Sequence, residues 1–249
     1  MEPRDYAEQM ERAPELPPGS DERFQGYGVM GEPFASGHVL GMRRFPASSV
    51  GSGYTSVWHR DPTGAWTFYA DTDPLHACTR YFGSDVQRAV ECPIELSWPK
   101  PRILHISIES ARLTWEAELA PTLATRTLNT MARLMPDRLW KDRRVLSLMA
   151  AIAGPALGAG RLGVHGRAPN GQQFVTNPMV LWTIAHGTAS VGETDLGQPG
   201  PLPRQARLGD FWIPQRGLFA VGRAFFEPFD PARHLAVASR EASPAQHVS

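Results

Sequence analysis

Gly53 to Arg80, GYTSVWHRDPTGAWTFYADTDPLHACTR, decides the fold class. Tyr54 to Arg60 alternates with a period of two, and Trp66 to Ala70 carries three aromatics in five residues, so both segments are predicted strands. Asp61-Pro62-Thr63-Gly64 lies between them, with Pro preset for the second turn position and Gly at the fourth. The stretch is a β-hairpin running into a short helix. Both of its faces are aromatic, so it must wall a core on one side and a second core, or a cavity, on the other. A four-residue loop places Tyr54, Ser56 and Trp58 on one face with Thr67, Tyr69 and Asp71. Thr55, Val57 and His59 then share the other face with Trp66, Phe68 and Ala70. The first face offers hydroxyls, an indole N–H and a carboxylate among aromatics, the mix that orients a small ligand.

Downstream, Ile94–Trp98, Leu104–Ile108 and Leu113–Leu119 each alternate apolar with polar residues, the pattern of half-buried antiparallel strands. The period then changes. Ala124, Leu128, Met131 and Met135 recur at helical spacing, Pro136-Asp137 interrupts, and a second helix runs to Gly154-Pro155. Strands resume near Arg161, turn at Pro169-Asn170-Gly171, and continue through Val180–Ala185 and Gly217–Glu227. The reading is a mainly β protein: a closed or nearly closed antiparallel β-barrel with an inserted helical hairpin at about residues 121–157. Residues 1–23, acidic and proline-containing, read as a flexible arm, 24–240 as a single barrel domain, and 241–249 as a flexible tail.

The chain has 249 residues, with 25 basic and 25 acidic side chains, so it lacks the net positive charge of a nucleic-acid binder. Cys78 and Cys92 show no metal spacing, and no signal-peptide pattern opens the chain; reduced thiols and a cytoplasmic location are the expectation. No pair of histidines, and no His with Asp or Glu, shows metal-ligand spacing, so no metal is expected, and no other cofactor is expected either. The helical insertion carries seven cations against two anions between Pro121 and Arg161, a basic amphipathic pair suited to weak contact with an anionic membrane surface. The same arginines equally suit the solvated back of helices packed on a barrel.

The run Asp71-x-x-Pro74-x-x-Ala77-x-x-Arg80, after an aromatic strand and the Tyr54-Thr55 strand, resembles the acetoacetate decarboxylase-like superfamily. That resemblance implies a barrel or cone enclosing a mostly apolar pocket, and a lysine acting as Schiff-base nucleophile. Gln87 and Arg88 stand where the family has its lysine pair, and Ser56 replaces its acidic residue. Neither an amide nor a guanidinium forms an imine, so Schiff-base chemistry is not expected. Lys100 and Lys141, the only two lysines, read as exposed. A competing likeness, to lipocalin-like (calycin) proteins, rests on Trp98-Pro99-Lys100-Pro101-Arg102 and Trp115 and implies a similar lumen.

Two functions remain open at this point. One is an enzyme acting on a small organic acid or ketone without a Schiff base, with Tyr54, His59 and Asp71 as acid–base groups. Ser56, Trp58, Tyr69, Arg80 and Arg88 would then bind the substrate, the guanidiniums gripping its carboxylate. The other is a non-catalytic binder of an apolar ligand. Each residue also has a structural reading: hydrogen-bonded strand hydroxyls, a core histidine, and Arg80 pinning the helix to Asp71. Convergence of Tyr54, Asp71 and Arg88 would favour the enzyme.

Overall fold

A computed structural model describes residues 1–236. Its strands are β1 (Glu22–Pro33), β2 (Val39–Ser48), β3 (Tyr54–Arg60), β4 (Trp66–Ala70), β5 (Arg88–Glu91), β6 (Glu95–Lys100), β7 (Ile103–Ile108), β8 (Leu113–Ala120), β9 (His165–Arg167), β10 (Gln173–Val191), β11 (Thr194–Asp195), β12 (Arg207–Leu208), β13 (Phe211–Trp212) and β14 (Leu218–Phe226). Helices α1 (Pro3–Arg12), α2 (Thr79–Phe82), α3 (Leu123–Leu134) and α4 (Arg143–Leu157) complete the framework.

The main sheet runs β5-β4-β3-β2-β1-β14-β10-β8-β7-β6. Met42 of β2 and Val57 of β3 share a core with Ile106 of β7 and Trp115 of β8, from the far half of that order. The sheet therefore curls on itself into a half-barrel. Its edges, β5 and β6, are not paired with each other among the described residues, so closure is partial. Every pair on this path is antiparallel except β4–β5, which is parallel because the 74–86 segment crosses back before β5 begins. The long β10 makes the curl possible: it pairs first with β14 and then with β8, with register shifts at Pro178/Val180 and Ile184/His186.

The hairpin loop is one residue longer than the sequence reading allowed. Asp61 N–H donates to Ala65 O at 2.9 Å, Gly64 takes φ +99°, and Arg60 pairs with Trp66. One extra loop residue turns all of β4 over. Trp58 stands opposite Phe68 and Val57 opposite Tyr69, so Tyr69 joins the half-barrel interior while Trp66 and Phe68 join the outer face with Tyr54 and Trp58.

Two cores result, as the doubly aromatic hairpin required. The inner one fills the half-barrel. The outer one gathers Phe24, Tyr54, Trp58, Phe68, Tyr81, Phe82 and Phe226 under the 74–86 and 202–213 segments. The α3–α4 hairpin lies over β10 and β14, burying Leu146, Ala153 and Leu157. Its start is fixed by a reciprocal Thr122–Thr125 capping box, and α4 by the Asp142 carboxylate accepting from Arg144 and Val145 N–H.

The N-terminal segment departs from its reading as a flexible arm. Residues 3–12 form α1, with Ala7 buried in the inner core and Tyr6 set edge-on against Trp182 at 5.6 Å. Its acids find partners: Glu2 meets Arg102 at 2.5 Å and Glu11 meets Arg44 at 2.8 Å. The 241–249 tail lies outside the described residues.

Candidate binding site

A cavity of about 160 Å³ opens between the outer face of the sheet and the helical hairpin. Phe24, Tyr54, Trp58 and Phe226 wall it from the sheet side, and Leu128, Trp140, Leu146 and Met149 from the hairpin. It exists partly because two glycines pair across β1 and β14. A Cβ at Gly26 would collide with the Arg44 carbonyl oxygen, and one at Gly222 with that of Asn177. No side chain can stand on this part of the cavity wall.

Among the described residues, the wall contains no Asp, Glu, His or Lys, and its charged side chains are Arg43 and Arg223. Arg43 and Arg44 are neighbours in a strand, so they point to opposite faces. Arg44 reaches Glu11, while Arg43 is buried, 5% exposed, on the cavity side. Its Nη1 donates to the Val29 carbonyl and, at 3.0 Å, to that of Met42; Nη2 donates to Met30 O at 3.0 Å. Its Cζ lies 4.4 Å from the centre of the Trp58 ring and 5.5 Å from that of Phe211. Among the described residues no carboxylate pairs with it. Burial pushes its pKa down to about 10, which still leaves it charged at neutral pH.

Around this guanidinium, the Trp58 indole N–H donates to Ser56 Oγ at 3.1 Å, and Tyr54 Oη lies 3.4 Å from Cys78 Sγ. Burial raises the pKa of both the Tyr54 phenol and the Cys78 thiol, so both stay neutral. A neutral thiol is a poor nucleophile. Arg223 also lines the cavity, with its Nε buried and without a hydrogen-bond partner.

The sequence-derived site residues separate in space. Tyr54 and Trp58 line the cavity, and Ser56 holds the Trp58 indole. His59 lies on the opposite face of β3, stacked on His38 with Nδ1 of His38 2.9 Å from Nε2 of His59. Burial, then the second imidazole, pushes His59 down to about 4, too low for a neutral-pH base. Asp71 Oδ1 accepts from the Thr55 N–H at 2.7 Å, closing the end of the hairpin. Tyr69 faces the inner core.

Arg80 is committed elsewhere. It pairs with Glu22 at 2.6 Å rather than with Asp71. Burial works against the Glu22 charge, yet hydrogen bonds from Arg80, Tyr81 and Gln172 hold its carboxyl below the usual range. Arg88 is exposed on β5. Tyr54, Asp71 and Arg88 thus do not converge. Both lysines are exposed and away from the cavity. The residue that sequence reasoning missed is Arg43, whose signal was an adjacent Arg-Arg pair inside a strand: alternation sends one of them inward.

No family model and no curated protein matches this sequence. Among solved structures, the chain is similar to acetoacetate decarboxylase from Legionella pneumophila subsp. pneumophila, at 12% identity and a TM-score of 0.39, over 89% of each chain. It is also similar to a second structure reported as acetoacetate decarboxylase, at 11% identity and a TM-score of 0.41, over 90% of this chain and 92% of the other. The fold itself rests on the strand order and register described above.

Proposed function

We propose that the protein is a non-catalytic binder of a small apolar acid, held with its hydrocarbon part in the cavity and its carboxylate at Arg43. The observation that carries this reading is a buried guanidinium with no carboxylate partner on an apolar cavity wall. Burying an unpaired charge is costly, and an anionic guest would relieve that cost. Three of the five guanidinium N–H groups are spent on carbonyls, which leaves two for a guest. A cavity of this size suits a ring or short branched chain, since a void of roughly 150 Å³ admits benzene. Among the described lining residues, Tyr54 and Cys78 are held neutral by burial, which favours binding over turnover.

Entry past the helical hairpin from an anionic membrane surface belongs to the same proposal. Leu123, Leu134, Leu148, Met131 and Ile152 are exposed on α3 and α4, between 51% and 84%, beside Arg126, Arg133, Arg143 and Arg144. Basic charge with exposed apolar side chains is the signature of an interfacial helix. The test of the binding reading is titration with phenylacetate followed by tryptophan fluorescence, since Trp58, Trp140 and Trp212 line the cavity. Saturable quenching or enhancement is expected. A flat response to phenylacetate and to shorter and longer acids would remove the proposal.

A further inference from the structure

A second concavity, of about 570 Å³, lies beside β4 and β13 and is lined by Arg60, Arg161, Arg204 and Arg207 with Trp66 and Trp212. No carboxylate is among its lining residues within the described part of the chain. Four cations gathered without an anion, in a chain whose formal charge is zero, form a local positive patch, screened by solvent, that an anion can neutralise. None of the four has a carboxylate partner among the described residues.

Arg161, Arg204 and Arg207 are exposed and Arg60 is half-buried, yet three of the four are held in place by neighbours. The Arg161 Cζ sits 4.4 Å from the centre of the Trp212 ring and that of Arg207 sits 5.2 Å away, so one indole holds two guanidinium groups. Stacking of this kind fixes a guanidinium plane and leaves its N–H edge free. Arg60 Nη1 is anchored on the carbonyls of Gly37 and Asp61, both at 3.2 Å. Gln205 ties the wall together. Its Nε2 donates to Arg161 O at 2.7 Å and to Ile213 O at 2.8 Å, and its Oε1 accepts from Arg161 N–H at 3.0 Å.

We infer that this groove is a binding site for a small molecule carrying two or more phosphate groups. Guanidinium forks match phosphate oxygens, and several converging forks select a polyanion over a single charge. The groove is open to solvent, and its volume falls in the range of small-molecule sites rather than of a flat nucleic-acid track. The site is separate from the apolar cavity and independent of the function proposed for it. Trp212 borders both.

The test uses the full chain with inorganic pyrophosphate, tripolyphosphate and orthophosphate as probes, in calorimetric titrations at two salt concentrations. Tripolyphosphate and pyrophosphate should bind with one-to-one stoichiometry, at least tenfold tighter than orthophosphate, and weaken as salt rises. The double variant Arg204→Gln/Arg207→Gln should lose at least tenfold in affinity while keeping its melting temperature. Arg126→Gln/Arg144→Gln, on the helical hairpin, should bind as the parent does. Three results overturn the inference: no binding by the parent, equal loss in both double variants, or a single-stranded RNA oligonucleotide binding more tightly than tripolyphosphate.

Discussion

Glu32 offers a perturbation whose size follows from the structure. Its side chain is fully buried in β1, with Oε2 accepting from the Trp115 indole N–H at 2.7 Å and Oε1 unpartnered. Gly187 packs directly against the carboxyl, where a Cβ would clash with it. Burial pushes the group from 4.5 up to about 7, and the Trp115 hydrogen bond only partly opposes this. The folded state therefore holds the proton more tightly than the unfolded chain. Stability from this group is fully present below pH 4.5 and is lost as pH rises through 7. The displacement corresponds to about 3 kcal/mol.

His59 works the other way: held down to about 4 from 6.5, it adds stability as pH rises between those values. The two nearly cancel over pH 4.5–6.5 in the parent, so a single profile hides both. Glu32→Gln isolates one of them, because the amide mimics the protonated acid and keeps an acceptor for Trp115. The variant should match the parent at pH 4.5 and exceed it by about 3 kcal/mol at pH 8. Urea unfolding at half-unit pH steps, with unchanged m, reads the difference. A gap between the two proteins that stays constant from pH 4.5 to 8 would show that Glu32 does not take up a proton on folding.

Arg80→Gln breaks the part-buried pair with Glu22 and should cost roughly 1–3 kcal/mol in urea unfolding, with phenylacetate affinity unchanged; a selective loss of affinity would place Arg80 at the site. Borohydride treatment with acetoacetate or pyruvate should leave no covalent adduct by intact-mass spectrometry, whereas a stoichiometric adduct on Lys100 or Lys141 would restore the Schiff-base route. In vesicle co-sedimentation the chain should pellet only with anionic lipid and less as salt rises. Leu123→Ser/Leu134→Ser should weaken this, and a protein that stays in the supernatant throughout has no membrane-facing hairpin.

What the sequence made legible was whatever depends on local period. The alternation in Leu113–Leu119 and the helical spacing from Ala124 give β8 and α3 where the structure has them, and Pro136-Asp137 marks the break between helices. Faces were harder. A loop counted one residue short inverted β4 and moved Tyr69 and Asp71 to the wrong side, because strand period is two and a single residue reverses every side chain. Long-range pairing was beyond local pattern altogether. Nothing near Glu22 in sequence announces that it takes Arg80 and Tyr81, more than fifty residues away. The acidic arm looked solvated from composition, but Ala7, Tyr6 and Met10 form an apolar stripe that packs on the inner core. Arg43 was legible in principle, since two adjacent arginines in one strand cannot both face water on a covered sheet.

Whether Arg43 reads a guest's charge is tested by comparing phenylacetate with its neutral analogue 2-phenylethanol on the parent and on Arg43→Gln, by fluorescence titration at neutral pH. The variant should lose roughly ten- to a hundredfold in affinity for the acid, the scale of one charged hydrogen-bonded contact. Its affinity for the alcohol should stay within about threefold of the parent, because a contact that reads only charge leaves a neutral guest unaffected. Equal affinities of the parent and the variant for phenylacetate would contradict the claim that Arg43 reads the charge of a guest.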